Sequence, residues 1–130
     1  MSKKIIHVPG ISEALAARKV PLSPVVAHND LIFISGIPPL DPQTGEIERS
    51  SIERQTEVVI ENVRLCLEAA GSDLSKVLKV TILITNSAYY EVVNVVYARY
   101  FKENCPARTF CTVGSWPWPF DIEIECVAHI

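Results

Sequence analysis

The chain has little of what builds a metal centre or a disulfide framework. Its four cysteines, Cys66, Cys105, Cys111 and Cys126, form no CxxC pair and have no histidine at metal-ligand spacing. They read as reduced thiols, mostly in the core, and neither a disulfide framework nor a metal site is expected. No apolar run approaches the roughly 18 residues that cross a bilayer, so a membrane is not an expected partner. Met1-Ser2-Lys3-Lys4 leads into a strand-like segment without a signal-peptide hydrophobic stretch, which makes the cytoplasm the expected address. An excess of basic charge is also missing. Lys and Arg number 12 against 15 Asp and Glu, the net charge is -3, and the cations are scattered rather than striped. A phosphate backbone finds no electrostatic footprint here, and nucleic acid is not an expected partner.

What the chain does have is apolar content, 48% of residues with a mean hydropathy of +0.22. At 130 residues, a single domain spanning 1–130, much of the chain must face water. Part of that apolar surface is therefore expected to be covered by other subunits. No repeat, linker or low-complexity segment divides the sequence.

Lys4 to Val8 reads as a short strand, and ISEALAARK as a short helix or an irregular turn before Pro21 and Pro24. LIFIS, Leu31 to Ser35, is a strand closed by Gly36, followed by a proline-rich turn and another extended piece. Ser50 and Glu53 make a capping-box pattern. From Ile52 the apolar positions Val59, Ile60, Val63, Leu67 and Ala70 recur at helical spacing up to Gly71. Val77 to Thr85 alternates, with Leu78, Val80, Ile82 and Ile84 on one side and Lys79, Thr81, Leu83 and Thr85 on the other. Asn86 or Ser87 caps a second helix whose buried stripe is Val92, Val93, Val96, Tyr97 and Tyr100. Two extended runs remain, Arg108 to Val113 and Asp121 to Ala128, with a Trp-Pro-Trp-Pro turn between them. The order predicts an α+β fold in which a mixed sheet carries two helices on one face.

Two helices cover one face only. On the last strand Ile122, Ile124, Cys126 and Ala128 belong against the helices, which leaves Glu123, Glu125, Val127 and His129 outside. The expected outer face also holds Leu83 and, from the Arg108 strand, Arg108, Phe110 and Thr112. This mixture predicts either an oligomer interface with polar pockets or a half-wet sheet surface. If the last two strands form a hairpin, the residue facing Arg108 falls near Val127, several positions past Glu123, and a site using both needs two subunits. The residues alone leave open that Arg108 is a structural partner of Glu123 or Glu125 across an interface.

The motifs LIFISGIPPLDPQTGEI, ENVRLCLEAAG, NVVYARYF, CPARTF and DIEIECVAHI resemble the RidA/YjgF family of small trimeric imine deaminases, over nearly the whole chain from Leu31 onward. The resemblance implies a chorismate-mutase-like fold, a homotrimer and clefts between adjacent subunits. It also implies hydrolysis of reactive enamines and imines, such as 2-aminoacrylate, to the 2-keto acid and ammonia without a cofactor. Arg108 matches the family arginine that holds the substrate carboxylate, a role suited to a planar guanidinium offering two parallel hydrogen bonds. Glu123 matches the acid that positions or activates water; Glu125 has the same strand parity, and only the family pattern favours Glu123. Ser35 and Gly36 match a Ser-Gly pair that contacts substrate through a hydroxyl and an amide, and Asn94 an asparagine facing the cleft.

There are departures from the family pattern. Leu22 stands where a tyrosine is frequent. Phe110 replaces a common cysteine, so the resemblance carries over only the backbone role at that position. Trp116 and Trp118 are unusual; Trp116 either walls the pocket for a larger or aromatic substrate or braces a rigid turn. The departures leave two other readings: a specialised deaminase acting on a 2-aminomuconate-like enamine, or a non-catalytic carboxylate-binding, chaperone-like trimer.

Overall fold

The computed structural model describes residues 2–130. The elements run β1 (Lys4–Ile6), α1 (Ile11–Ala17), β2 (Val25–His28), β3 (Leu31–Ile37), α2 (Ile52–Ala69), β4 (Val77–Ile84), α3 (Tyr90–Tyr100), β5 (Ala107–Thr112) and β6 (Ile122–His129). Single 3-10 turns at Leu74–Lys76 and Ser87–Tyr89 lead into β4 and α3. The strands form one mixed sheet in the order β1-β2-β3-β6-β4-β5, parallel only between β4 and β5. Among the described residues, no helix is long and apolar enough to cross a membrane.

The α+β architecture is the expected one, with a third helix. The segment left between helix and turn forms α1, which sends Ile11 and Leu15 into the core. Strand β2 has no counterpart in the sequence reading, because Pro21 and Pro24 obscure a four-residue strand that begins immediately after them. The extended piece expected after the proline-rich turn is a single bridge, Leu40 to Ile47. The last two strands do not form a hairpin. Strand β4 lies between them, pairing in parallel with β5 and antiparallel with β6.

Helix α2 begins one residue later than the capping pattern implied. Ser51 accepts a hydrogen bond from the Arg54 amide at 3.2 Å, whereas the Ser50 hydroxyl donates to Glu48. The helix stops at Gly71, whose φ of +81° lets the Ser72 amide reach back to the Leu67 carbonyl. Its apolar face (Val59, Ile60, Val63, Cys66, Leu67) packs on the inner residues of the sheet, Ile34, Val80, Ile82, Ile124 and Cys126. In α3 the buried residues are Val93, Val96 and Tyr97; Val92, placed in the stripe by spacing, is 39% exposed. Leu78 is likewise turned out, at 47% exposure, because a bulge between Val77 and Lys79 interrupts the alternation of β4.

Two buried amides on α2 hold the strand ends that matter later. Asn62 donates to the carbonyls of Pro38 (3.2 Å) and Leu40 (2.7 Å), fixing the chain as it leaves β3. Gln55 accepts from the Asp121 amide at 2.8 Å and donates to the Ser50 carbonyl, fixing the chain as it enters β6. Substituting Asn62 with Ala takes the side-chain donor from the Leu40 carbonyl beside a buried helix face, whereas the Pro38 carbonyl keeps the Leu40 amide. Chemical denaturation of Asn62→Ala is expected to show a loss of about 1 to 3 kcal/mol with little change in slope.

Candidate functional site

The sequence-derived site residues fall into two groups on opposite faces of the sheet. The first surrounds Arg108. In the parallel register Val80 pairs with Arg108 and Ile82 with Phe110, and Val80 and Ile82 are core residues. Arg108 and Phe110 therefore lie on the helix side of β5, not on the uncovered face where an assumed strand parity had put them. The outer positions of β5 are Thr109 and Cys111, and Thr109 accepts a hydrogen bond from Lys79 at 2.7 Å. Thr112 pairs with Ile84 and follows the same correction.

Strand β5 is the sheet edge, and α3 packs beside it. The Arg108 Nη1 donates to the Asn94 Oδ1 at 2.8 Å. Its guanidinium carbon lies 5.0 Å from the Tyr97 ring centre and 5.1 Å from that of Phe110. Among the described residues no carboxylate lies within ion-pair distance of it. The partners are an amide and two π-faces, none of which neutralises the charge. The guanidinium is thus oriented, half-buried and still available to an anion.

The second group surrounds Glu123, which lies on the outer face opposite Leu83. Its carboxyl lies against Gly36: a Cβ at that position would come within 2.5 Å of Glu123 Oε1, so a side chain there would push the carboxyl out of its place. Gly36 follows Ser35 in a bulge of β3, between the pairs Ile34–Cys126 and Ile37–Ile124. Burial pushes the Glu123 carboxyl up to about 7, and the neighbouring Glu125 charge adds to the shift. A carboxyl at that value exchanges a proton readily near neutrality. Glu125, its equal by periodicity, is exposed.

Ser35 spends its hydroxyl proton on the Ser23 carbonyl at 2.7 Å, which ties β3 to the segment before β2. Trp116 stacks on Phe120 at 4.6 Å, and Trp118 lies under the Arg18 guanidinium at 4.9 Å, so both tryptophans of the turn are engaged within the fold. Leu22 is a 41% exposed side chain. Among the described residues, no group of three or more His, Cys, Asp or Glu side chains is placed to hold a metal ion.

Sequence reasoning missed Tyr90 and Tyr97 as neighbours of the arginine. Tyr97 lies under Arg108, and its hydroxyl, buried, has no hydrogen-bond partner among the described residues. Tyr90 packs on Phe110 with ring centres 4.7 Å apart. The signal was present: Tyr90, Asn94 and Tyr97 follow i, i+4, i+7 and share one helix face.

Residues 12–130 match the family model described as Endoribonuclease L-PSP. The chain belongs to this family, the RidA/YjgF proteins. Its relatives include the chloroplastic Reactive Intermediate Deaminase A of Arabidopsis thaliana, 40% identical over 92% of this chain and 64% of that protein. The human 2-iminobutanoate/2-iminopropanoate deaminase is 35% identical over 83% of this chain and 79% of that one. Among solved structures, the Rid-family protein YyfA of Yersinia pestis superposes with a TM-score of 0.90 at 34% identity, covering 99% of this chain and 100% of that one. TdcF of E. coli, crystallised with bound serine, gives 0.85 at 31% identity, covering 98% of each.

In this RidA/YjgF chain the Glu123 carboxyl holds its proton more tightly folded than unfolded. The fold is therefore favoured at acidic pH and loses that advantage as pH rises from about 4.5 through about 7. Thermal melts of Glu123→Gln are expected to match wild type near pH 4 and to exceed it at pH 8.

Proposed function

We propose that the protein hydrolyses a carboxylate-bearing imine, or its enamine tautomer, to the 2-keto acid and ammonia without a cofactor. The observation that carries this reading is the half-buried Arg108, oriented by Asn94 and two aromatic rings and paired with no carboxylate. Such a group fits an acidic metabolite. The names of the Arabidopsis and human relatives supply the reaction class, and the serine bound in TdcF is itself a carboxylate.

The chemistry asks for orientation and one mobile proton. Arg108 grips the carboxylate and so fixes the adjacent C=N carbon. Ionised Glu123 takes a proton from water as the oxygen bonds to that carbon, and the electron pair of the C=N bond moves to nitrogen. The nitrogen gains two protons, one returned from Glu123 and one given up by the carbinolamine hydroxyl, and leaves as ammonia as that hydroxyl becomes the ketone. The Gly36 amide and the backbone at Phe110 line the path as contacts for the imine.

Arg108 and Glu123 lie on opposite faces and three residues apart along the strands, about 10 Å in that direction. A site using both therefore draws on two copies of the chain. The outer face favours such an assembly: Leu31, Phe33 and Ile5 are large exposed apolar residues on it, with Val127 opposite Phe33 and Leu83 on the far side of Glu123. A homotrimer joined over this face sets the Glu123 group of one copy toward the Arg108 edge of the next.

Turnover of an enzymatically generated 2-imino acid, followed as keto-acid formation, tests the reading. Arg108→Ala is expected to lower kcat/KM by about 10 to 100-fold, the worth of a charge-assisted hydrogen bond to a carboxylate. The wild-type rate is expected to climb as pH passes about 7, and that limb to flatten in Glu123→Gln. Equal rates for wild type and Arg108→Ala overturn the reading. For the assembly, sedimentation of Phe33→Glu is expected to show smaller species than wild type at the same concentration, with activity falling in step.

A further inference from the structure

The rings beside Arg108 do more than orient it. Phe110 is half-exposed, and Tyr90, packed against it, is 46% exposed. Their ring centres are 4.7 Å apart with planes inclined by 47°. The pair forms a continuous apolar surface that begins 5.1 Å from an uncompensated cation, with Asn94 filling one side of the guanidinium. A small aliphatic carboxylate gripped by Arg108 leaves that surface in water. A carboxylate carrying a ring at a few bonds' distance covers it while its charge stays on the arginine.

We propose that Phe110 and Tyr90 form a specificity wall, so that the protein prefers 2-imino acids with an aromatic side chain over those with a short aliphatic one. This rests on the deaminase reading above and names its substrate class. The reaction that supplies such a substrate is the two-electron oxidation of an aromatic amino acid at its Cα–N bond, which gives the imine directly. The wall acts by contact with the side chain, not on the C=N group. It therefore appears as a ratio between substrates.

The test uses the full chain, with imines generated in situ by an amino-acid oxidase from L-phenylalanine and from L-alanine. Wild type is expected to show a kcat/KM at least about fivefold higher on the aromatic imine, the discrimination one inclined ring contact supplies. In Phe110→Ala that ratio is expected to fall to within about twofold of unity. Tyr90→Ala, a change at an exposed position that spares the core, is expected to lower the ratio in the same direction. Thermal shifts with phenylpyruvate and pyruvate give a second readout independent of turnover, the aromatic acid shifting wild type more and Phe110→Ala no more than pyruvate does.

The two proposals fail separately. Hydrolysis of both imines at similar rates by wild type, or an equal proportional loss on both in the variants, overturns the wall and leaves the deaminase reading standing. A larger shift with phenylpyruvate that disappears in Phe110→Ala, with no turnover of either imine, supports the wall and removes the deaminase reading. No turnover and no difference between the two acids overturns both.

Discussion

The placement of β4 between β5 and β6 is the constraint on which the rest depends. A parallel pairing on one side and an antiparallel pairing on the other fix which residues of the two outer strands share a face. In this register Arg108 aligns with Val80 and Glu123 with Leu83, so the cation goes in with the helices and the acid goes out. No rearrangement of side chains brings the two together within one chain. The proposed site, which uses both groups, therefore draws on two copies of the chain.

The two groups are tuned by opposite means. Arg108 is surrounded by neutral, polarisable partners, which hold it in place without consuming its charge. Glu123 is pushed against a glycine and crowded by Glu125, which makes the charged form costly and brings its titration to neutrality. A carboxylate beside Arg108 would have cancelled it, and a cation beside Glu123 would have returned its pKa to the ordinary range. The separation of the faces prevents both.

The sequence made the main helix, the alternation of β4 and β6, and the α+β class legible, because those segments carry clean periods and ordinary caps. Gly71 as a stop and Glu123 as an outward residue could be read directly. What failed was parity where it had no anchor. The run from Arg108 to Thr112 mixes a charge, an aromatic and hydroxyls, so alternation alone assigns it no inner face, and only the β4–β5 register decides. Leu78 and Val92 failed for related reasons, one at a bulge and one at the margin of a helical stripe. Strand β2 was hidden by the two prolines ahead of it. Asn94 was found through family likeness, although its spacing from Tyr90 and Tyr97 already put it on an aromatic helix face.

The irregularity in β3 has a consequence of its own. Ile34 and Ile37 both point inward, three residues apart, because one extra residue is accommodated opposite β6. A strand shorter by that one residue would keep both isoleucines inside and restore an unbroken ladder, so the sheet gains nothing from the insertion. Its beneficiary is the carboxyl that rests on Gly36. The third strand has given up ideal pairing at the one point where a bare stretch of backbone lies under a half-buried acid.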